Sequence, residues 1–148
     1  MNSIIGDLGE QLVVQWLLTQ GWSVLQRRWH SRWGEIDAIA LEKFSQTLAF
    51  VEVKTRGLNN WDEAGLLAIA PAKQAKLWKT AALFLAKYPH WADYTCRFDV
   101  ALVRCRQISA KPGEPSHFPP TVALNQPIHY GGYELCLHAY IPAAFTGE

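Results

Sequence analysis

Two runs of strand-like sequence, GEIDAIAL at 34–41 and LAFVEVKT at 48–55, limit what this chain can become. Their Val, Ile, Leu and Ala content suits strands buried on both faces. Yet between them they carry Glu35, Asp37, Glu52 and Lys54. A charge in such a place costs several kcal/mol unless something pairs with it. Either these groups satisfy one another, or they serve a ligand that is not part of the chain.

Side-chain parity sharpens the choice. Residues two apart on a strand share a face, so Glu35 goes with Asp37, and Glu52 with Lys54. The six-residue turn EKFSQT joins the two runs. Pairing Leu41 with Leu48 across it sets Asp37 opposite Glu52 and Glu35 opposite Lys54. All four polar side chains are then expected on one side, at the end of the hairpin away from the turn. Ile39, Leu41, Leu48 and Phe50 continue that face as core. Ile36, Ala38 and Ala40, against Ala49, Val51 and Val53, form a reverse face small enough to take a packed helix. A slip of one residue would put Glu52 on the wrong face.

Two carboxylates directly opposite one another destabilise a strand pair. A divalent cation removes the conflict, and carboxylate, carbonyl and water oxygens are what Mg²⁺ prefers; Mn²⁺ is expected to substitute. Lys54, two residues from Glu52, is placed to position a water or to stabilise charge on a phosphate oxygen. The set fits metal-assisted attack of water on a phosphodiester. The competing reading is a structural ion pair, Glu35 with Lys54 and Asp37 with a nearby Arg. The surplus of acids on one face at the strand ends favours a site.

The remaining chain reads as α/β. Ile5, Leu8, Leu12, Val13, Trp16 and Leu17 make a helical stripe in SIIGDLGEQLVVQWLLTQG, with Ser3 to cap it and Gly21 to end it. WSVLQRR alternates like a short strand, and GLNNWDEAGLLAIA reads as a loop. Pro71 suits the first turn of a helix to about Lys87. Its apolar side is Leu77, Trp78, Ala81 and Leu85, and its other face carries Lys73, Lys76 and Lys79. YPHWADY is a loop, and CRFDVALVRC is a strand with Phe98, Val100 and Leu102 on one side. Residues 107–119 are irregular. TVALNQ and YELCLHAYI are expected to pair as a late hairpin across PIHYGG. The order helix, three strands, helix, strand, then extra strands predicts a mixed β-sheet flanked by helices.

Length and composition narrow the setting. A chain of 148 residues, 49% of them apolar, suits one domain, 1–148. The formal charge of +1 is weak for a nucleic-acid binder, so any electrostatic footprint must be local. Cys96, Cys105 and Cys136 have no metal-ligand spacing and read as reduced thiols, and the scattered histidines argue against zinc. With no signal peptide and no apolar run of membrane-spanning length, a cytoplasmic protein without a membrane partner is expected.

GDLGEQL, GEIDAIA, FVEVKTR, KQAKL and RFDVALV stand in the order and spacing of the YraN-like family of uncharacterised bacterial proteins. That family resembles Holliday-junction resolvases and restriction endonucleases, the PD-(D/E)xK nuclease superfamily. The resemblance covers residues 6 to about 104, and YELCLHAYIPAAF resembles the family's closing strand. Residues 107–132 look like an insertion. The resemblance implies a restriction endonuclease-like core, with Asp37 and Glu52 as metal ligands and Lys54 as the catalytic lysine. It adds the Val53 carbonyl as a further ligand, Glu35 flanking the site and Glu10 approaching the metal from the first helix. A solvated helix face is the alternative for Glu10. Gln74 matches a polar residue on the following helix of some members, and Asp99 is expected to partner Arg97 or Arg27. Val13 stands where the family usually has Ala, Arg28 where Asn is usual, and Ile36 where the motif has Pro.

Arg28, Arg32 and Arg56 flank the hairpin, and Lys73 opens the second helix beside Gln74. These residues are expected to hold DNA phosphates, and Trp29 and Trp33 to stack on unpaired bases; a solvated helix face is the alternative for the lysines, and core packing for the tryptophans. The leading expectation is a Mg²⁺-dependent endonuclease acting on DNA, with branched or single-stranded regions as targets and a homodimer as the form usual for resolvases. The alternatives are a non-catalytic nucleic-acid-binding module of the same fold and a partner-binding protein whose charges pair internally.

Overall fold

In the computed structural model, which describes residues 4–57, 65, 68–108 and 117–145, the chain opens with helix α1 (Ile4–Thr19). Leu8, Leu12, Val13 and Leu17 recur at helical spacing, and all are buried. Gly21, at φ 90°, ends the helix in the left-handed conformation glycine adopts without steric cost. Ser3 lies outside the described residues. Strands β1 (Ser23–Ser31), β2 (Gly34–Glu42) and β3 (Thr47–Arg56) follow as an antiparallel meander. Helix α2 (Pro71–Lys87) and a 3₁₀ turn (Pro89–Trp91) lead to β4 (Thr95–Gln107), which runs parallel to β3. Parallel neighbours need a long crossover, and the segment containing α2 supplies it. A short β5 (Ile128–Tyr130) and a long β6 (Tyr133–Phe145) complete a six-stranded mixed sheet in the order β1-β2-β3-β4-β6-β5.

Each face of the sheet carries one helix. Under α1 lie mostly small residues, among them Ala38, Ala40, Ala49, Val51 and Ala101. They let the helix approach closely. A Cβ on Gly9 would fall 1.8 Å from Thr55 Oγ1, so only glycine fits where α1 crosses β3. The opposite face packs Leu77, Ala81 and Phe84 of α2 on Ile39, Leu41, Phe50, Phe98 and Val100. Phe50 stacks on Phe98 and meets Phe84 edge-on. Among the described residues no helix is long and apolar enough to cross a membrane.

The hairpin register is the expected one: Leu41 pairs with Leu48, and the ladder continues to Ala38–Val51. Three expectations need correction. Asp37 does not pair across from Glu52, nor Glu35 from Lys54, because the ladder ends at Ala38–Val51. Ile36 does not join Ala38 and Ala40 on the α1 side; it is buried in the α2-side cluster with Ile39 and Leu41. Simple alternation is lost at Asp37, where the β2–β3 ladder has ended and the β1 residue across from it, Arg28, takes φ 51°. The late hairpin is not TVALNQ with YELCLHAYI. Its first strand is β5 itself, turning at Gly131 and Gly132, both with positive φ. Two consecutive left-handed residues make the tight turn that matches strand twist. The alternation in WSVLQRR does mark a strand, and pairing with β2 carries β1 on to Ser31. The loop read in GLNNWDEAGLLAIA and most of the irregular segment at 107–119 lie largely outside the described residues.

Candidate active site

The site forms where β2 and β3 part. Beyond Ala38–Val51 the ladder stops, and the Val53 N–H donates to Asp37 Oδ2 at 2.7 Å instead of to a β2 carbonyl. A strand residue's N–H and C=O lie along the same edge, so the Val53 carbonyl also opens on this fork. Glu52 and Lys54 project on the α2 side. Glu52 accepts from Lys73 Nζ at 2.9 Å, and Lys54 Nζ donates to the Ala68 carbonyl at 2.9 Å. Gln74 Nε2 donates to the Ile69 carbonyl at 2.7 Å, bracing the entry to α2.

Electrostatics mark Asp37 as the unusual group. Burial, the charge of Glu52, and lesser contributions from Glu10 and Glu35 push its carboxyl up to about 8. The Val53 hydrogen bond opposes this without cancelling it. Asp37 has no ion pair among the described residues. Burial lowers the Lys54 ammonium below its ordinary range, with Lys73 and Arg56 adding to the effect against the opposing charge of Glu52.

Glu10 is 7% exposed, which removes the solvated-face reading. Arg28 holds it, its Nε donating to Glu10 Oε1 at 2.7 Å while a terminal nitrogen pairs with Asp7. Glu10, foremost among these contacts, keeps the guanidinium firmly charged. Asp7 went unnoticed in the sequence; its signal was the three-residue spacing from Glu10, which puts both on one side of α1. Glu35 lies 3.4 Å from His30 Nδ1, also unanticipated, because the two meet only through the β1–β2 pairing.

The fork thus brings Asp37, Glu52, Glu35, Glu10 and the Val53 backbone into one electrostatic neighbourhood. The other basic candidates lie around it. Lys73 is paired with Glu52, and Arg28 with Glu10 and Asp7. Arg56 is exposed and bonds the Thr55 carbonyl. Arg32 and Lys79 both lie over the Trp33 ring, at 4.9 and 4.2 Å from its centroid. Asp99 is fully buried and structural, as expected: it takes Arg97 Nε at 3.0 Å, the Tyr140 hydroxyl and the Ala143 N–H.

The paired-charge alternative named two bridges, Glu35–Lys54 and Asp37–Arg, and neither occurs among the described residues. Two of the acids, Glu10 and Glu52, do have cationic partners. Among the described residues no three His, Cys, Asp or Glu side chains gather tightly enough to hold a metal by themselves. Any cation here must therefore draw on backbone carbonyl and water.

The chain is similar to proteins described only by family. A UPF0102 protein of Acaryochloris marina is 52% identical, covering 98% of this chain and 91% of the relative. A UPF0102 protein of Synechocystis is 46% identical over 97% of this chain and 98% of its own. Another, from Trichodesmium erythraeum, is 46% identical over 95% and 87%. Residues 9–103, which include α1 from Gly9 onward, the hairpin, α2 and most of β4, match the uncharacterised protein family UPF0102. The chain belongs to that family, the one also called YraN.

Proposed function

We propose that this protein is a metal-dependent endonuclease that hydrolyses DNA phosphodiester bonds, on a restriction endonuclease-like core. The observation that carries the reading is the Asp37 carboxyl: buried in the fork, beside Glu52, without an ion-pair partner among the described residues, and held near 8. Burial and the neighbouring charges of Glu52, Glu10 and Glu35 hold it there, and a cation would relieve the repulsion.

The residues fit Mg²⁺. The donor set is all oxygen, from Asp37, Glu52 and the Val53 carbonyl, and Mg²⁺ completes its shell with waters. When bound, the cation supplies Lewis-acid polarisation and charge neutralisation at the phosphate. The chain supplies the rest. The Val53 N–H fixes one Asp37 oxygen and leaves the other for ligation. Glu10, held by Arg28, adds negative potential from α1. Lys54, its proton loosened by burial, orients the attacking water or neutralises the developing phosphate charge. The contacts from Lys73 to Glu52 and from Lys54 to Ala68 are those that substrate and cation would exchange for their own.

A second reading, a DNA-binding module that retains the acids without turnover, is favoured by the pairing of Glu10 with Arg28 and of Glu52 with Lys73. Incubation of wild type, Asp37→Asn and Glu52→Gln with four-way, flap, duplex and single-stranded DNA in Mg²⁺ or Mn²⁺ separates them. Cleavage that needs both acids supports the enzyme; DNA binding without cleavage supports the module.

A further inference from the structure

The sheet face that bears Glu52 and Lys54 continues away from α2 as a basic track. Arg56 follows Lys54 on the same face of β3, and in the parallel β3–β4 register it lies beside Arg104. Arg106 is next on that face of β4. On β6, Cys136 pairs with Arg104, and Glu134 with Arg106. Here the sheet opens into a cavity of about 250 Å³, whose lining includes Arg104, Arg106, Asn125, Glu134, Cys136 and His138. Glu134 engages Arg106 at Nε and one terminal nitrogen. A guanidinium has five N–H donors, so this pairing orients Arg106 without exhausting it. Every one of these lining residues lies beyond residue 103, outside the stretch that defines the family match.

Position favours a ligand shared with the fork. In sheets with parallel strands, ligands gather outside the strands' carboxyl ends. Lys54 and Arg56 stand at that end of β3, Arg104 and Arg106 at that end of β4. Four residues of strand separate Glu52 from Arg56, about 13 Å, and Arg104 is one strand spacing, about 4.8 Å, to the side. Arg106 lies about 7 Å further on. Along a duplex axis a strand advances about 3.4 Å per nucleotide, so the track spans about four to six nucleotides of duplex from the fork.

Resting on the nuclease reading, we infer that this cavity and track hold the sugar–phosphate backbone of one flank of the DNA strand, four to six nucleotides from the phosphate at the fork. The flank is on one side only, because the track leaves the fork in one direction. The contacts are to phosphate and therefore independent of base sequence.

The test is fluorescence anisotropy in Mg²⁺ on the Lys54→Ala background, with duplex and flap DNA whose double-stranded 5′ and 3′ flanks are shortened separately. Arg104→Gln and Arg106→Gln should each weaken binding about 3- to 10-fold and lower the salt slope by about 1. Asn125→Asp adds negative charge at the cavity without altering the sheet, and it should weaken binding similarly even if Arg104→Gln is misfolded. Shortening one flank below about four nucleotides should cost as much and abolish the effect of all three variants; shortening the other flank should leave their effect intact. DNA cleavage by wild type with no effect of these variants would overturn the inference and spare the nuclease reading. So would variant effects that depend equally on both flanks. One-sided binding without wild-type cleavage on any substrate would overturn the nuclease reading and sustain the track. Absence of DNA binding would overturn both.

Discussion

Asp37 carries its own pH signature. Its carboxyl sits at about 8 in the metal-free fold, against roughly 3.9 in an unfolded chain. Between those values the folded state keeps a proton that the unfolded state has lost. Metal-free stability must therefore fall as pH rises through that window, by up to about 1.4 kcal/mol per pH unit from this group. Urea titrations between about pH 5 and pH 8 should show wild type losing stability relative to Asp37→Asn, whose amide oxygen still accepts from Val53. Parallel profiles for the two proteins would contradict the assigned environment. Arg28 offers a second check. Its φ of 51° is a conformation that Asn tolerates better than most residues, which gives a physical reason for the Asn that the resemblance leads one to expect. Arginine accepts the strain and holds buried Glu10. Arg28→Ala leaves that carboxylate without its main partner and should cost about 3 kcal/mol, read by the same titration; Arg28→Ala together with Glu10→Gln should recover much of it. The resemblance already sets Glu10 beside the metal of Asp37, but the Arg28 bridge to Glu10 and the raised Asp37 carboxyl have no signal in the sequence, because they depend on tertiary packing.

At the scale of elements, the tightest dependence is α1 on β3. Gly9→Ala would set a methyl 1.8 Å from Thr55 Oγ1, forcing helix or strand to shift. Overpacking of this kind costs about 1–3 kcal/mol. Thr55→Ala should recover part of the loss, since it removes the atom in closest conflict, and a hydroxyl that is buried without a hydrogen-bond partner among the described residues. A Gly9→Ala protein as stable as wild type in urea would mean that the helix lies further from the sheet. The sequence made the two helices, the hairpin and its register legible, because apolar alternation in 39–41 and 48–50 permits one register around the turn. It did not reveal that Ile36 changes sides, which follows from distortion at Asp37 and Arg28 and has no local signal. The late hairpin was misread although its signal was present: Gly131 and Gly132 are adjacent, and both adopt positive φ.

For the molecule as a whole, the sequence carried the pairing of acids with a lysine, while the fork that separates Asp37 from an ordinary ladder position required the fold. Under the proposed function, the acids at the fork would receive a cation before any DNA arrives. A ligand that binds only the folded state at a hundred times its Kd contributes about 2.7 kcal/mol, which for a chain of this size raises Tm by roughly 5–10 °C. Mg²⁺ or Mn²⁺ should produce such a rise in wild type by calorimetry, and Asp37→Asn should not show it. The central claim, however, is hydrolysis, and the most direct test is the single-turnover cleavage rate of wild type and Lys54→Ala at saturating DNA and metal. Lys54 is not a metal ligand in this account, and several basic groups share the backbone contacts. The variant should bind DNA within a few-fold of wild type and cleave at least about 100-fold more slowly, the loss expected for one preorganised charge-stabilising donor. Equal rates for the two proteins, or no wild-type cleavage above the Lys54→Ala background on any DNA shape, would contradict it.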